Sequence, residues 1–279
     1  MRIIDLHCYP NTQKWIDCQG PYVEALAKYW GRDWQAKTEE EVVADFKEFH
    51  VDALLVALDL STTIQTPPCD NDYVAGMRDR HDCIIQAWGA LEPTRGRVAI
   101  DEARHAINEL NMIGFHFHPI MQHIQVNDQD FYPLWEEISS MGVPVMIDVG
   151  MTGMGAGMPG GLGVKTRNAH PAYVDELAAD FPKLTIIMAH PGSPWIDETT
   201  AVALHKGNVF WEMSGWAPKY LPDTLKKDIR SRLSDKVMFG SDYPSIAYER
   251  LFREWDEVGY TNAMLEKFFH RNAETVLGL

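Results

Sequence analysis

The chain has 279 residues, with 40 acidic against 25 basic side chains and a formal net charge of −15. This balance argues against nucleic acid or an anionic membrane surface as a partner, because both need a basic patch. A hydrophobic content of 46% allows a large core and argues against disorder. The start, MRIIDLHCYP, lacks the pattern of a signal peptide, and the four cysteines form no CxxC pair, so we expect a reduced, cytoplasmic protein.

Eight short apolar runs alternate with amphipathic segments. The predicted strands lie at 3–7, 53–60, 83–90, 113–117, 144–149, 184–189, 209–214 and 237–240. The predicted helices lie at 39–49, 72–80, 98–110, 130–141, 172–181, 197–205, 222–233 and 248–258, with a last helix at 262–277. This alternation predicts a parallel sheet buried on both faces. Eight units without GxGxxG after the first run favour one (β/α)8 TIM barrel over 1–279.

Two segments fall outside the repeating unit. Residues 11–36, rich in Trp and Tyr, read as an insertion that covers the mouth of the barrel. Residues 150–165 (GMTGMGAGMPGGLGVK) are too rich in glycine for a regular element. Because this loop follows the fifth strand, it lies on the catalytic side of a barrel, and we expect an active-site loop or lid.

Several strand ends break their apolar pattern with polar residues. In a TIM barrel these ends carry the chemistry. The residues are Asp5, His7 and Tyr9 on the first strand, His116 and His118 on the fourth, Asp148 on the fifth, His190 after the sixth and Asp242 after the eighth. Each alone has a structural explanation. Together they predict one site, because buried carboxylates and imidazoles need partners or a metal.

At these residues the chain resembles the amidohydrolase superfamily, and within it the amidohydrolase-related family of aminocarboxymuconate semialdehyde decarboxylase and γ-resorcylate decarboxylase. IIDLHCYP resembles the first-strand motif IDxHxHP, GFHFHP resembles GxKxHP, and VPVMIDVGMTG resembles PVxxHxGxTG. LTIIMAHPG, FWEMSGW, VMFGSDYP and FFHRNAETVLGL resemble the family's sixth-strand His, LSGW, FGSDYP and NAxxLLGL motifs. The similarity runs nearly end to end.

The resemblance implies a divalent metal held by a first-strand pair, a fifth-strand His and the eighth-strand Asp, with the sixth-strand His against substrate. His7, His190 and Asp242 match these positions directly. Tyr9 stands where the family has its second first-strand His, His116 where it has Lys, and Asp148 where it has the fifth-strand His. The family's metal site is therefore altered in this chain.

Two interpretations of the altered site remain open. In the first, zinc, or alternatively manganese, is bound by His7, Asp148 and Asp242 with Tyr9 or His116. In the second, the metal is lost and the same side chains form an acid–base network, as in metal-independent lactonases of the superfamily.

The chemistry expected is hydrolysis or decarboxylation of a small, aromatic or ring-derived carboxylic acid. Asp242, His190 and His116 are the predicted catalytic residues. The predicted substrate-binding residues are Lys165, Arg167, Trp195, Trp216 and His118. A non-catalytic binding barrel is the alternative of another class. A homodimer is expected only by analogy with relatives.

Overall fold

A parallel eight-stranded sheet forms the centre of the molecule, whose computed structural model describes residues 1–31 and 33–279. The strands pair with their neighbours in chain order. They are β1 (Ile3–Cys8), β2 (Val51–Val56), β3 (Ile84–Ala90), β4 (Gly114–Phe117), β5 (Val145–Asp148), β6 (Ile186–Ala189), β7 (Val209–Glu212) and β8 (Val237–Met238). The predicted barrel fold is confirmed.

The sheet closes where β8 meets β1. The Leu6 amide donates to the Phe239 carbonyl at 3.2 Å, and the Tyr9 amide donates to the Tyr243 carbonyl at 3.0 Å. Asp5 reinforces this seam, because its buried carboxylate accepts hydrogen bonds from the Ser241 amide and the Tyr248 hydroxyl. The chain therefore forms a nearly closed barrel, and Asp5 serves its closure.

Helices follow the strands and bury one face each. They are α1 (Gln13–Gln19), α2 (Pro21–Trp30), α3 (Glu39–Glu48), α4 (Asn71–Arg80), α5 (Arg97–Asn108), α6 (Tyr132–Met141), α7 (Pro171–Asp180), α8 (Ile196–His205), α9 (Asp223–Ile229), α10 (Tyr248–Glu257), α11 (Asn262–Glu266) and α12 (Asn272–Leu277). In the part of the chain that the structure describes, none of these is both long and apolar enough to cross a bilayer.

Local sequence explains where helices begin. Thr38 and Glu41 form a reciprocal capping box at the start of α3, each side chain accepting the other's backbone amide. The segment after β1, predicted only as an insertion, contains α1 and α2. The Gly-rich segment contains a short 3-10 helix (Pro159–Gly163) in which Gly160, Gly161 and Leu162 have left-handed backbone angles.

The last predicted helix is divided. A π-helical turn (Lys267–Arg271) separates α11 from α12. This turn lies against the seam of the barrel, where the Phe239 amide donates to the Phe268 carbonyl at 2.9 Å. The Asn272 side chain adds a hydrogen bond to the Val237 carbonyl at 2.7 Å. The final segment thus packs beside β1 and β8.

Candidate active site

The polar side chains converge at the C-terminal ends of the strands. Asp148 lies at the centre of three imidazoles: its carboxylate oxygens are 2.8 Å from His116 Nε2, 3.2 Å from His118 Nε2 and 3.5 Å from His190 Nε2. Burial by itself raises the pKa of Asp148, but the three imidazoles outweigh it and hold that pKa well below its usual range. Asp148 is therefore an anion at neutral pH.

The three histidines around Asp148 differ in the net shift of their pKa. Burial lowers the pKa of His116, and it lowers that of His118 to about 4. Burial also works against protonation of His190, but Asp148, followed by Asp242 and Glu212, raises its pKa to about 10. His190 is thus the imidazolium of this group, whereas His116 and His118 are neutral.

A second cluster holds His7. Its Nδ1 lies 2.9 Å from Glu212 Oε1, and both side chains are fully buried. Ser214 links this pair to the first cluster, because its hydroxyl donates to Glu212 at 2.7 Å and lies 2.8 Å from His190 Nδ1. Burial opposes ionisation of both partners, yet their hydrogen bond raises the pKa of His7 and lowers that of Glu212.

The other ring nitrogen of His7 points toward Tyr9 and Asp242. Its Nε2 is 3.1 Å from the Tyr9 hydroxyl and 3.9 Å from Asp242 Oδ1. Burial raises the pKa of Asp242, and the neighbouring Asp148 adds to this against the opposing effect of His190 and His7. Burial likewise raises the pKa of the Tyr9 phenol well above its usual value. Burial therefore favours the protonated form of both Tyr9 and Asp242 beside His7.

Backbone strain marks two residues of this site. His190 and Asp242 have φ angles of 69° and 59°, in the left-handed region that residues other than glycine rarely occupy. Each follows the end of its strand, so the unusual turn aims the side chain back over the barrel. Such strain persists where the surroundings fix it, as at functional sites.

Three side chains of the site lie close enough together to hold a divalent metal. His7, His116 and Asp148, all buried, each offer one ligand atom, and these atoms lie within 4.8 Å of one another. His116 Nδ1 is buried without a hydrogen-bond partner among the described residues, and Asp148 Oδ2 meets His118 and His190 in ion pairs without a hydrogen bond of ordinary geometry. Two imidazoles and a carboxylate suit zinc or manganese. The residues therefore fit such an ion, with Tyr9 and Asp242 adjacent.

A cleft of about 540 Å³ opens above these groups. Its volume is in the range of small-molecule sites. Three tryptophans from the segment after β1, Trp15, Trp30 and Trp34, line one side of the cleft and form a tryptophan wall. The ring centre of Trp15 lies 5.1 Å from that of Tyr9 and 6.2 Å from that of Trp34. The ring centres of Trp34 and Trp30 are 5.6 Å apart. The first residues of the Gly-rich segment, 150–154, line another part of the cleft. Both inserted segments thus face the site.

The predicted substrate-binding residues divide into two sets. Trp216 and His118 line the cleft. Lys165, Arg167 and Trp195 are not among the described residues that line it. Lys165 and Arg167 are exposed, and the Trp195 ring instead packs 4.6 Å from His170. The last three lie outside the cleft, so their role in binding stays a prediction.

Two residues near the site were not predicted. Glu212 ends β7, and a carboxylate after the apolar run Val-Phe-Trp was a signal of the same kind as Asp148. Arg250 lies on α10 and lines the cleft. Nothing in its local sequence distinguishes it from Arg253 three residues later.

The family match covers almost the whole chain. A family model described as "Amidohydrolase" matches residues 5–279. The chain belongs to the amidohydrolase family. It is thus a member of an enzyme family. No curated protein matches the chain.

Solved structures share the fold at low identity. An uncharacterized TIM-barrel protein from Bordetella bronchiseptica is 19% identical, with a TM-score of 0.78, over 100% of this chain and 99% of its own. A 2,6-dihydroxybenzoate decarboxylase in complex with 2,6-dihydroxybenzoate is 16% identical, with a TM-score of 0.72, over 100% of both chains. A dihydroxybenzoic acid decarboxylase from Polaromonas sp., with bound manganese and 2-nitroresorcinol, is 17% identical, with a TM-score of 0.72, over 100% and 97%.

Proposed function

We propose that this amidohydrolase-family protein is a carboxy-lyase that removes the carboxyl group of a small aromatic acid with the help of a divalent metal. The observation that carries the proposal is the pairing, in one aromatic-walled cleft, of a cationic His190 with a partly buried Asp242 whose pKa is raised. The first can bind a carboxylate and the second can supply a proton. The similar dihydroxybenzoate decarboxylases, one with manganese, support the choice of reaction.

Each polar residue has a distinct part in this reaction. His190 binds and orients an oxygen of the substrate, and the tryptophan wall packs against the ring and excludes water. Asp242 donates its proton to the ring carbon that bears the carboxylate. The bond to the carboxyl carbon then breaks, CO2 leaves, and the bonding electron pair restores the aromatic ring. Asp242 regains its proton from solvent. His116 acts through Asp148, which it holds by a hydrogen bond of 2.8 Å.

His7, His116 and Asp148 would hold the metal, with Asp242 and Tyr9 next to them. When bound, the ion supplies positive charge that stabilises the oxygens of the substrate. Binding requires His7 to lose its proton, so uptake of the ion is expected to weaken in acid.

The experiment compares Asp242→Asn with the wild type on hydroxybenzoates, including 2,6-dihydroxybenzoate, with CO2 release as the measurement. Loss of the proton donor is expected to lower turnover at least about 100-fold. Asp235→Asn is the control, because Asp235 is exposed and pairs with Lys267. Near-wild-type turnover by Asp242→Asn on a substrate that the wild type decarboxylates would falsify the assignment.

A metal-independent lactonase-type hydrolase is the second candidate. It is favoured by Asp148, whose charge is already surrounded by three imidazoles without an ion. Elemental analysis of the purified protein, followed by activity after chelation, separates the two candidates. If the protein is the carboxy-lyase, we expect about one zinc or manganese ion per chain and loss of activity on chelation. Activity on a lactone that survives chelation favours the hydrolase.

A further inference from the structure

Arg250 lies at the rim of the cleft and is much more exposed to solvent than the buried histidines. Among the described residues that line the cleft, it is the only lysine or arginine. Its guanidinium carbon lies 5.8 Å from the ring centre of Tyr220, which is 61% exposed. The Arg250 side chain is 37% exposed, whereas that of Asp148 is 4% exposed. The cleft therefore has a cation near its opening as well as His190 at its floor.

One edge of the Arg250 guanidinium is held in place by Glu254, and Tyr220 lies beside the group. Nε donates to Glu254 Oε1 at 2.8 Å, and the Glu254 carboxylate is fixed in turn by the Lys219 amide at 3.1 Å. Nη2, in contrast, is buried and makes no hydrogen bond of ordinary geometry with the residues that the structure describes, although the Tyr220 side chain is close enough to help Glu254 raise the pKa of Arg250. A buried donor without an acceptor costs free energy that a bound oxygen would recover. The arginine is thus positioned by Glu254 with Tyr220 beside it, and it offers a fixed positive charge to an anion in the cleft.

We propose that Arg250 is a specificity-determining residue that binds an anionic substituent of the substrate, a carboxylate, remote from the group that reacts. A carboxylate matches the planar guanidinium, and arginine keeps its charge at every pH at which the protein folds. The aromatic wall between rim and floor fits a ring that carries the two groups apart. The identity of the reacting group at the floor of the cleft rests on the proposed function. Binding of the remote carboxylate by Arg250 does not require turnover.

The test measures binding by titration calorimetry with three probes: benzoate, isophthalate and terephthalate. The wild type is expected to bind one of the two dicarboxylates at least about 10-fold more tightly than benzoate. Arg250→Met should lower the affinity for that dicarboxylate by about 10-fold to 100-fold and the affinity for benzoate by less than about 3-fold. The reason is that only the dicarboxylate has a second carboxylate to reach the rim. Arg250→Lys should keep part of the discrimination, because charge remains without the planar fork.

Arg253→Met is the matched control. Arg253 lies on the same helix, pairs with Glu257 at 3.8 Å in solvent and does not line the cleft, so its loss should change no affinity. A wild type that binds neither dicarboxylate more tightly than benzoate overturns the proposal. So does an Arg250→Met variant that unfolds at a lower temperature yet keeps the discrimination, because the arginine would then serve only its ion pair. Failure of decarboxylation alone leaves these affinities, and the proposal, intact.

Discussion

At the scale of single residues, Glu212 connects the packing of the barrel to the chemistry of the cleft. Its carboxylate receives three hydrogen bonds, from His7 Nδ1, the Ser214 hydroxyl and the Ser214 amide. This arrangement fixes which nitrogen of His7 faces Tyr9 and the cleft. Gly240 makes room for it, since a Cβ at that position would lie 2.2 Å from Glu212 Oε2. Glu212 is therefore a positioning residue for His7.

Glu212→Gln is expected to weaken metal binding and activity about 10-fold to 100-fold, the usual effect of losing the group that orients a ligand. An amide has one acceptor oxygen, so it leaves a donor of His7 or Ser214 unpaired. The affinity for zinc or manganese, measured by titration, and the activity are compared with those of Glu257→Gln, which changes an exposed carboxylate 65% accessible to solvent. Unchanged affinity and activity would remove Glu212 from this role.

Site residues could be predicted from the sequence where the local pattern marks them, and not where only tertiary contacts do. Asp148 and His190 could be predicted because each interrupts a buried run. Glu212 gave the same kind of signal, but it precedes the residues of FWEMSGW that match the LSGW motif, and the prediction followed that motif. Arg250 could not be predicted, because its partner Tyr220 is brought to it by tertiary packing between α10 and the 3-10 helix Pro218–Tyr220.

At the scale of elements, Lys236 ties the end of α8 to the start of β8. Its ammonium group donates to the carbonyls of Ala203, Lys206 and Val209. The last carbonyls of a helix lack partners within the helix and carry partial negative charge, so a cation there is stabilising. Burial lowers the pKa of Lys236. The three hydrogen bonds act in the opposite direction, because the carbonyl oxygens stabilise the positive charge of the ammonium form.

Lys236→Met is expected to lower the free energy of unfolding by about 1–3 kcal/mol, because buried carbonyls lose their donor. Lys227→Met serves as the matched change on an exposed lysine of α9. Denaturant unfolding of both variants checks the prediction. Equal free energies of unfolding for the two variants would contradict this role, because water would then replace the ammonium group with no loss of stability.

The elements themselves were largely predictable because strands buried on both faces read as continuous apolar runs. The predicted eighth strand, 237–240, is shorter in the structure, Val237–Met238, because the chain turns through Gly240 to the left-handed Asp242. Helices α1 and α2 were not predicted. Their apolar faces pack partly on loops, including Gly153, whose added Cβ would lie 2.7 Å from Leu26, and such contacts leave no periodic signal in the sequence.

At the scale of the whole molecule, the ionised groups of the site couple the fold to pH. Without metal, the anionic Asp148 lies against the imidazolium of His190, and Glu212 is hydrogen-bonded to His7. The pKa of His190 is raised to about 10, against about 6.5 in an unfolded chain. Its contribution to stability is therefore complete below about pH 6.5 and is lost as pH rises through about 10.

Metal-free protein is accordingly expected to lose stability from pH 7 to pH 10, and His190→Gln should show a flatter dependence over the same range. Urea unfolding in the presence of a chelator, at several pH values, measures both. Parallel curves for the two proteins would contradict the charge assignment. A homodimer and a single folding unit over 1–279 stay predictions at this scale, to be checked by sedimentation and by the cooperativity of the same curves.

The tryptophan wall comes from one connection, the chain between Cys8 of β1 and Glu39 of α3. No strand of the barrel passes through it, whereas the histidines and carboxylates stand on the strand ends. The tryptophans of this wall and most of the polar groups of the site therefore come from different stretches of sequence. Grafting this connection from one barrel of the family onto another is a modular route to new substrates, with the reacting groups left where they are.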